Sequence, residues 1–183
     1  MKHGVKWALA GFAASILLAA QPATADERAW MVVDAASGAT IDAHRAQATH
    51  YPASLTKMMT LYMTFDALAA GALSLDEKMY VSPRAAGMPP TDLGLHPGDR
   101  IEVETAIKAL VTKSANDVAV VIAEHLAGTE WDFALDMTAK AGRIGLDDTK
   151  FRNASGLPHP YQVTTARDMA VLARALIDQF PGY

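Results

Sequence analysis

The 183-residue chain contains no cysteine. Disulfide staples and thiolate chemistry are excluded, so an exported form depends on packing alone. It also lacks blocks of like charge: 16 Lys and Arg against 20 Asp and Glu give a net charge of −4, spread along the chain. Such a distribution offers no basic stripe to a nucleic acid. The six histidines, His3, His44, His50, His96, His125 and His159, include no i,i+4 pair and no ligand cluster. Neither a metal nor any other cofactor is expected. There is no internal repeat and no low-complexity tract. No glutamate follows Glu130. No uncharged run reaches the roughly 20 residues of a membrane span.

What is present begins with Lys2, His3 and Lys6, then a 14-residue uncharged run over residues 7–20, then Ala23-Thr24-Ala25 before Asp26. Residues 1–25 therefore predict an export signal, with a retained anchor as the alternative. The protein is expected to be exported, to a periplasmic or other extracytoplasmic space. The 158 residues that remain suit one domain, or a domain with a small second lobe. The whole chain is 51% apolar, enough for a core.

Residues 29–34 alternate around Val32 and Val33, Ala36-Ser37-Gly38 signals a turn, and residues 39–43 return. This predicts a β-hairpin. Pro52 resists helix in and before itself. Ser54 suits an N-cap or first-turn position. Met58, Leu61, Phe65 and Leu68 then recur at helical spacing, with Met59, Tyr62 and Met63 between them. A helix apolar on nearly every side is a buried one, and Gly71 ends it. Residues 75–87 predict a short strand and a loop, followed by an irregular surface stretch around Pro89, Pro90, Gly94, Pro97 and Gly98. Further helices are expected over residues 103–110, 118–126, 129–143 and 165–180. The last two open on capping boxes, Thr129 with Asp132 and Thr165 with Asp168. Asn153-Ala154-Ser155 matches a glycosylation acceptor but reads as loop.

The order is one hairpin followed by five helices. A lone hairpin is marginal in water, and no later segment reads as a strand for its edges. The pattern is that of an α+β chain whose sheet lacks its C-terminal strands.

Two segments carry chemistry. Ser54-Leu55-Thr56-Lys57 puts a hydroxyl and an amine one helical turn apart, on the same face. The lysine sits in an otherwise apolar helix, where burial favours the neutral amine. Such an amine is a general base for a serine nucleophile, and a helix start offers backbone N–H groups to a developing oxyanion. By itself the pattern equally fits a capping serine with a lysine that snorkels to water. Ser114-Ala115-Asn116 falls between two helices, where Ser114 can relay a proton and Asn116 can bind a substrate amide or hold Lys57. By itself it fits better an ordinary helix-linking loop with an N-cap serine or asparagine.

Together the two segments resemble the penicillin-binding, active-site-serine family, which pairs S-x-x-K with an S-x-N element and K-T-G. The likeness extends further. Ala29 to Asp34 with Ser37-Gly38, Tyr51-Pro52-Ala53-Ser54-Leu55-Thr56-Lys57-Met58-Met59-Thr60 and Lys113-Ser114-Ala115-Asn116-Asp117 resemble the low-molecular-mass serine D-alanyl-D-alanine carboxypeptidases, peptidase S11-like, in register and in order. So do Phe151-Arg152-Asn153-Ala154-Ser155-Gly156-Leu157-Pro158 and Thr164-Thr165-Ala166-Arg167-Asp168-Met169-Ala170. The resemblance implies a β-lactamase/transpeptidase-like α+β fold, with a partial domain over residues 26–183. It implies Ser54 as nucleophile, Lys57 as base, Ser114 as proton relay and Asn116 as the substrate-binding residue. The implied partners are a peptidoglycan stem peptide, which loses its terminal D-alanine, and β-lactams as covalent inhibitors. Association with a membrane surface, through a C-terminal segment missing from these residues, is implied as well.

Two departures from the family pattern set further expectations. No Lys-Thr-Gly or Lys-Ser-Gly occurs in the 183 residues. By the family's layout that strand would follow Tyr183 and lend one oxyanion donor, whose loss costs about 10²–10³ in rate. Little or no turnover is therefore expected of the chain as a C-terminally truncated form. A class A-like β-lactamase is the alternative, but it needs a glutamate to activate the deacylating water. None follows Glu130, and Asp147 and Asp148 read as turn or surface residues. A non-catalytic fragment that binds cell-wall peptides is the other alternative.

Overall fold

The hairpin forms where the alternation predicts it. β1 (Trp30–Val33) and β2 (Thr40–His44) pair antiparallel, with Trp30 opposite His44 and a register shift at Val32/Val33. Asp34 closes the turn by accepting from the Ser37 amide at 2.7 Å and its hydroxyl at 2.6 Å, bonds that hold the Asp34 carboxyl below its usual range. This computed structural model describes residues 28–183. The expected export signal over residues 1–25 lies outside the described residues.

α1 (Thr56–Ala69) is apolar around most of its circumference because it runs through the centre: Met59, Tyr62 and Phe65 are buried. Beside it α4 (Asn116–Ala127) buries every residue from 116 to 123. α4 divides the interior in two. Ala119 and Ala123 face a cluster with Met59, Tyr62, Phe65, Phe133, Met137 and Leu172. Val118, Val120, Val121 and Ile122 face a second, with Met79, Val81, Ile101, Val103 and Leu110.

α3 (Val103–Lys113) and α5 (Glu130–Arg143) pack against α4, and α6 (Ala166–Gln179) carries β1 on its outer side. The N-cap half of each expected capping box forms: Thr129 accepts from the Asp132 amide at 3.0 Å and Thr165 from the Asp168 amide at 3.1 Å. The Asp168 carboxylate is fully buried and accepts from the Asp148 amide and the Thr149 hydroxyl, so it also ties the preceding turn to α6. Asp147 is exposed beside Arg167.

The short strand expected over residues 75–87 is β3 (Lys78–Tyr80), but the rest of that stretch holds a short helix, α2 (Pro83–Ala86), in place of a loop, and β3 pairs antiparallel with a strand the sequence reading missed, β4 (Arg100–Glu102). Only Met79 and Ile101 of these strands are buried, and three residues are too few to display an alternation. This ribbon does not complete the hairpin. Among the described residues β1 and β2 form one two-stranded sheet, and β3 and β4 form another. No helix of the described residues is long and apolar enough to cross a membrane.

Candidate active site

Pro52 and Ala53 lead the chain into a 3-10 turn, Ala53–Leu55, before α1 begins. Ala53 has φ +46, a left-handed conformation uncommon outside glycine. Ser54 therefore stands in the turn ahead of α1. The cap position belongs to Leu55, which makes no side-chain cap bond. Ser54 is exposed, and its hydroxyl makes no hydrogen bond among the described residues.

Lys57, one turn on, is 3% exposed. Burial pushes its amine down from 10.5 to about 8, since a low-dielectric setting disfavours the ammonium. Its Nζ donates to Asn116 Oδ1 at 2.8 Å and to the Ser155 carbonyl at 2.5 Å. A neutral amine has two N–H bonds and one lone pair. These two acceptors use the N–H bonds and leave the lone pair available for a proton.

Ser114 closes α3 with φ 56, and Asn116 opens α4. The left-handed residue turns the chain sharply enough to bring Asn116, 6% exposed, onto Lys57. Asn116 Nδ2 donates to the Pro89 carbonyl at 2.9 Å and its amide to the Thr91 carbonyl at 2.7 Å. Thr91 Oγ1 in turn donates to the Ser114 carbonyl at 3.0 Å. The buried Asp117 carboxylate accepts from the Leu93 and Leu95 amides. The irregular surface stretch is thus laced to the α3–α4 link. Ser114 is half-buried, and its hydroxyl makes no hydrogen bond among the described residues.

Of the four predicted residues, Lys57 and Asn116 are directly bonded, Ser54 lies on the turn before Lys57, and Ser114 on the turn before Asn116. Sequence reasoning assigned no role to the strip over residues 153–156. That strip descends the ridge formed by residues 53, 57 and 60. Gly156, φ +88, lies so close to the Ala53 carbonyl that a Cβ there would overlap it. The Ser155 carbonyl meets Lys57, and the Ala154 carbonyl accepts from Thr60 Oγ1 at 2.7 Å. Asn153 Oδ1 accepts from the Gly156 amide at 2.7 Å, so the acceptor asparagine is committed to its own loop.

A cavity of about 450 Å³ opens beside the serine turn, lined by Tyr51, Pro52, Ala53, Leu157, Pro158 and His159 among others. A larger hollow of about 550 Å³, bordered by Arg45 and Arg167, includes none of the four predicted residues. Among the described residues no group of three or more His, Cys, Asp or Glu is placed to hold a metal ion.

The peptidase S11 family model, described as D-alanyl-D-alanine carboxypeptidase, matches residues 17–182. The chain belongs to this family. It is 37% identical over 162 residues to D-alanyl-D-alanine carboxypeptidase DacC of Escherichia coli K12, which covers 85% of this chain and 40% of that protein. It is 36% identical over 126 residues to DacF of Bacillus subtilis, 69% of this chain and 32% of the relative. Among solved structures, D-alanyl-D-alanine carboxypeptidase DacD of Francisella tularensis superimposes with a TM-score of 0.83 at 35% identity, over 84% of this chain and 37% of that one. Penicillin-binding protein D2 of Listeria monocytogenes, in its ampicillin-bound form, gives 0.75 at 29% identity, over 84% and 62%. The α+β fold of this S11 chain is thus the penicillin-binding, transpeptidase-like one. The chain spans a third to a half of the length of the curated relatives it matches.

Proposed function

We propose that this chain carries the acylating serine of a D-Ala-D-Ala carboxypeptidase that acts on peptidoglycan stem peptides. The observation that carries the reading is Lys57: an amine buried in an apolar helix, lowered to about 8, with both N–H bonds engaged, one turn after an exposed serine. In this reading the Lys57 lone pair takes the Ser54 proton while Oγ bonds to the carbonyl carbon between the two terminal D-alanines. The tetrahedral oxyanion collapses, the C–N bond breaks, and the departing D-alanine amine takes up the proton. Ser114 relays that proton across the α3–α4 link. Asn116 holds the amine in line and shares in substrate binding. Water then attacks the acyl-enzyme, which releases the shortened peptide and restores Ser54. A β-lactam opens on the same oxygen and stays there, because its acyl-enzyme hydrolyses slowly.

Glu130 weighs against a class A-like β-lactamase. The carboxylate is engaged by the Ala154 amide and by Arg84, so it is not free to activate water. The other reading, a non-catalytic chain that binds cell-wall peptides, draws on the unbonded Ser54 hydroxyl and on the lack of K-T-G in these residues. Residues 1–25 support export to a periplasmic or extracytoplasmic space.

Fluorescent penicillin separates these readings. The acylating reading expects covalent label on the wild-type chain and none on Ser54→Ala. Label on neither favours the binding chain, equal label on both rejects Ser54, and rapid nitrocefin turnover favours the lactamase.

A further inference from the structure

Glu130 opens α5, where a carboxylate favours the positive end of the helix dipole. An exposed acid suffices for that. Glu130 is instead 4% exposed, and burying a carboxylate is costly unless its oxygens are engaged. Oε1 accepts from the Ala154 amide at 3.1 Å, and Oε2 pairs with the Arg84 guanidinium of α2. The pairing raises the Arg84 pKa above its usual value.

The strip next to Lys57 has its polar groups sorted to two sides. Its amides turn away from α1: those of Arg152 and Asn153 donate to Gln162 Oε1, that of Ala154 to Glu130, and that of Gly156 to Asn153 Oδ1. Its carbonyls turn toward α1: Ala154 O to Thr60 and Ser155 O to Lys57. The Ala154 amide shares its peptide plane with the Asn153 carbonyl, and the Ser155 carbonyl shares its plane with the Gly156 amide, which donates to Asn153 Oδ1; Glu130 thus acts on the Ser155 carbonyl through the Asn153–Gly156 turn that it anchors.

We propose that Glu130 is a positioning residue for the serine chemistry: it grips the strip from behind and so aims the Ser155 carbonyl at the Lys57 amine. The inference rests on the acylating reading above. It accounts for a buried acid that neither attacks, nor protonates, nor meets substrate.

The test uses the full chain and four variants. Glu130→Ala removes the acceptor. Glu130→Gln keeps a carbonyl oxygen for the Ala154 amide. Glu130→Asp withdraws the carboxylate by one methylene while keeping the charge, and stands in if the alanine variant does not fold. Ile101→Ala, in the second apolar cluster, which holds no residue of the strip, is the stability control. Acylation by fluorescent benzylpenicillin is expected to slow at least about tenfold in Glu130→Ala and Glu130→Asp, a loss of about 1.4 kcal/mol of transition-state stabilisation. Glu130→Gln is expected to stay within about threefold of wild type, and Ile101→Ala within about twofold at a comparable melting temperature. An alanine variant as fast as wild type, a glutamine variant as slow as alanine, or a control that slows equally overturns the proposal.

A wild-type chain that takes no label defeats the acylating reading, and NMR then decides the positioning role by itself. Glu130→Ala is expected to shift the Lys57 ¹³Cε resonance and to speed exchange of the Ala154 amide, with both restored in Glu130→Gln. A Lys57 resonance unmoved by Glu130→Ala overturns the role.

Discussion

At the scale of single residues, Lys57 shows how burial becomes chemistry. Its amine keeps two hydrogen-bond acceptors yet titrates near 8 in place of 10.5, because lost hydration outweighs what Asn116 and Ser155 return to the ammonium. The same shift has a consequence for stability. The folded value lies below the unfolded one, so between about pH 8 and 10.5 the unfolded chain binds more protons than the folded chain. Stability therefore rises with pH across that window, and the penalty is complete below it. The total is about 3 kcal/mol. Urea unfolding at pH 7.5 and 10.5 is expected to show this gain in the wild type relative to Lys57→Met; equal pH slopes in the two proteins would contradict it. Ser54, Lys57 and Asn116 were readable in the sequence because a lysine inside an apolar helix and a polar tripeptide between two helices are out of place there. Glu130 and Ser155 were not. An acid at a helix start reads as a dipole partner, and a backbone carbonyl leaves no mark on its side chain.

At the scale of elements, the contact that matters joins a helix ridge to an irregular strip. Ala53, Lys57 and Thr60 lie along α1 and the turn before it, and residues 153–156 run down them. Gly156 allows the approach. Its φ of +88 costs a side-chain-bearing residue about 1–3 kcal/mol by itself, and a Cβ would also drive into the Ala53 carbonyl. Gly156→Ala is expected to lower urea stability by more than the conformational cost alone and to slow penicillin acylation by displacing the Ser54 turn. Unchanged acylation in a folded Gly156→Ala chain would show that the strip does not set the turn. The five longer helices were legible from their 3.6-residue periods and from the capping pairs Thr129–Asp132 and Thr165–Asp168, whereas the four-residue α2 is too short to show a period. β4 escaped because Ile101 alone marks its buried side and Val103 starts a helix at once. The 3-10 turn escaped because nothing about alanine announces a positive φ at position 53.

At the scale of the whole molecule, α4 is the partition that gathers the site. Its sides feed two separate apolar clusters, and its first residue reaches Lys57 on α1. The fold class was readable from the order of the segments: hairpin, serine helix, S-x-N link, late loop and last helix. The split of the strands into two ribbons was not, because pairing partners depend on contacts distant in sequence. The account stands on Lys57 activating Ser54, and the pH dependence of acylation tests that most directly. Intact-mass kinetics with benzylpenicillin are expected to show a single adduct at Ser54. Its rate constant should rise about tenfold per pH unit and level off near pH 8, whereas Lys57→Met is slower by at least about 10² and has no such inflection. A flat wild-type profile, or a Lys57→Met chain that acylates at the wild-type rate, would contradict it.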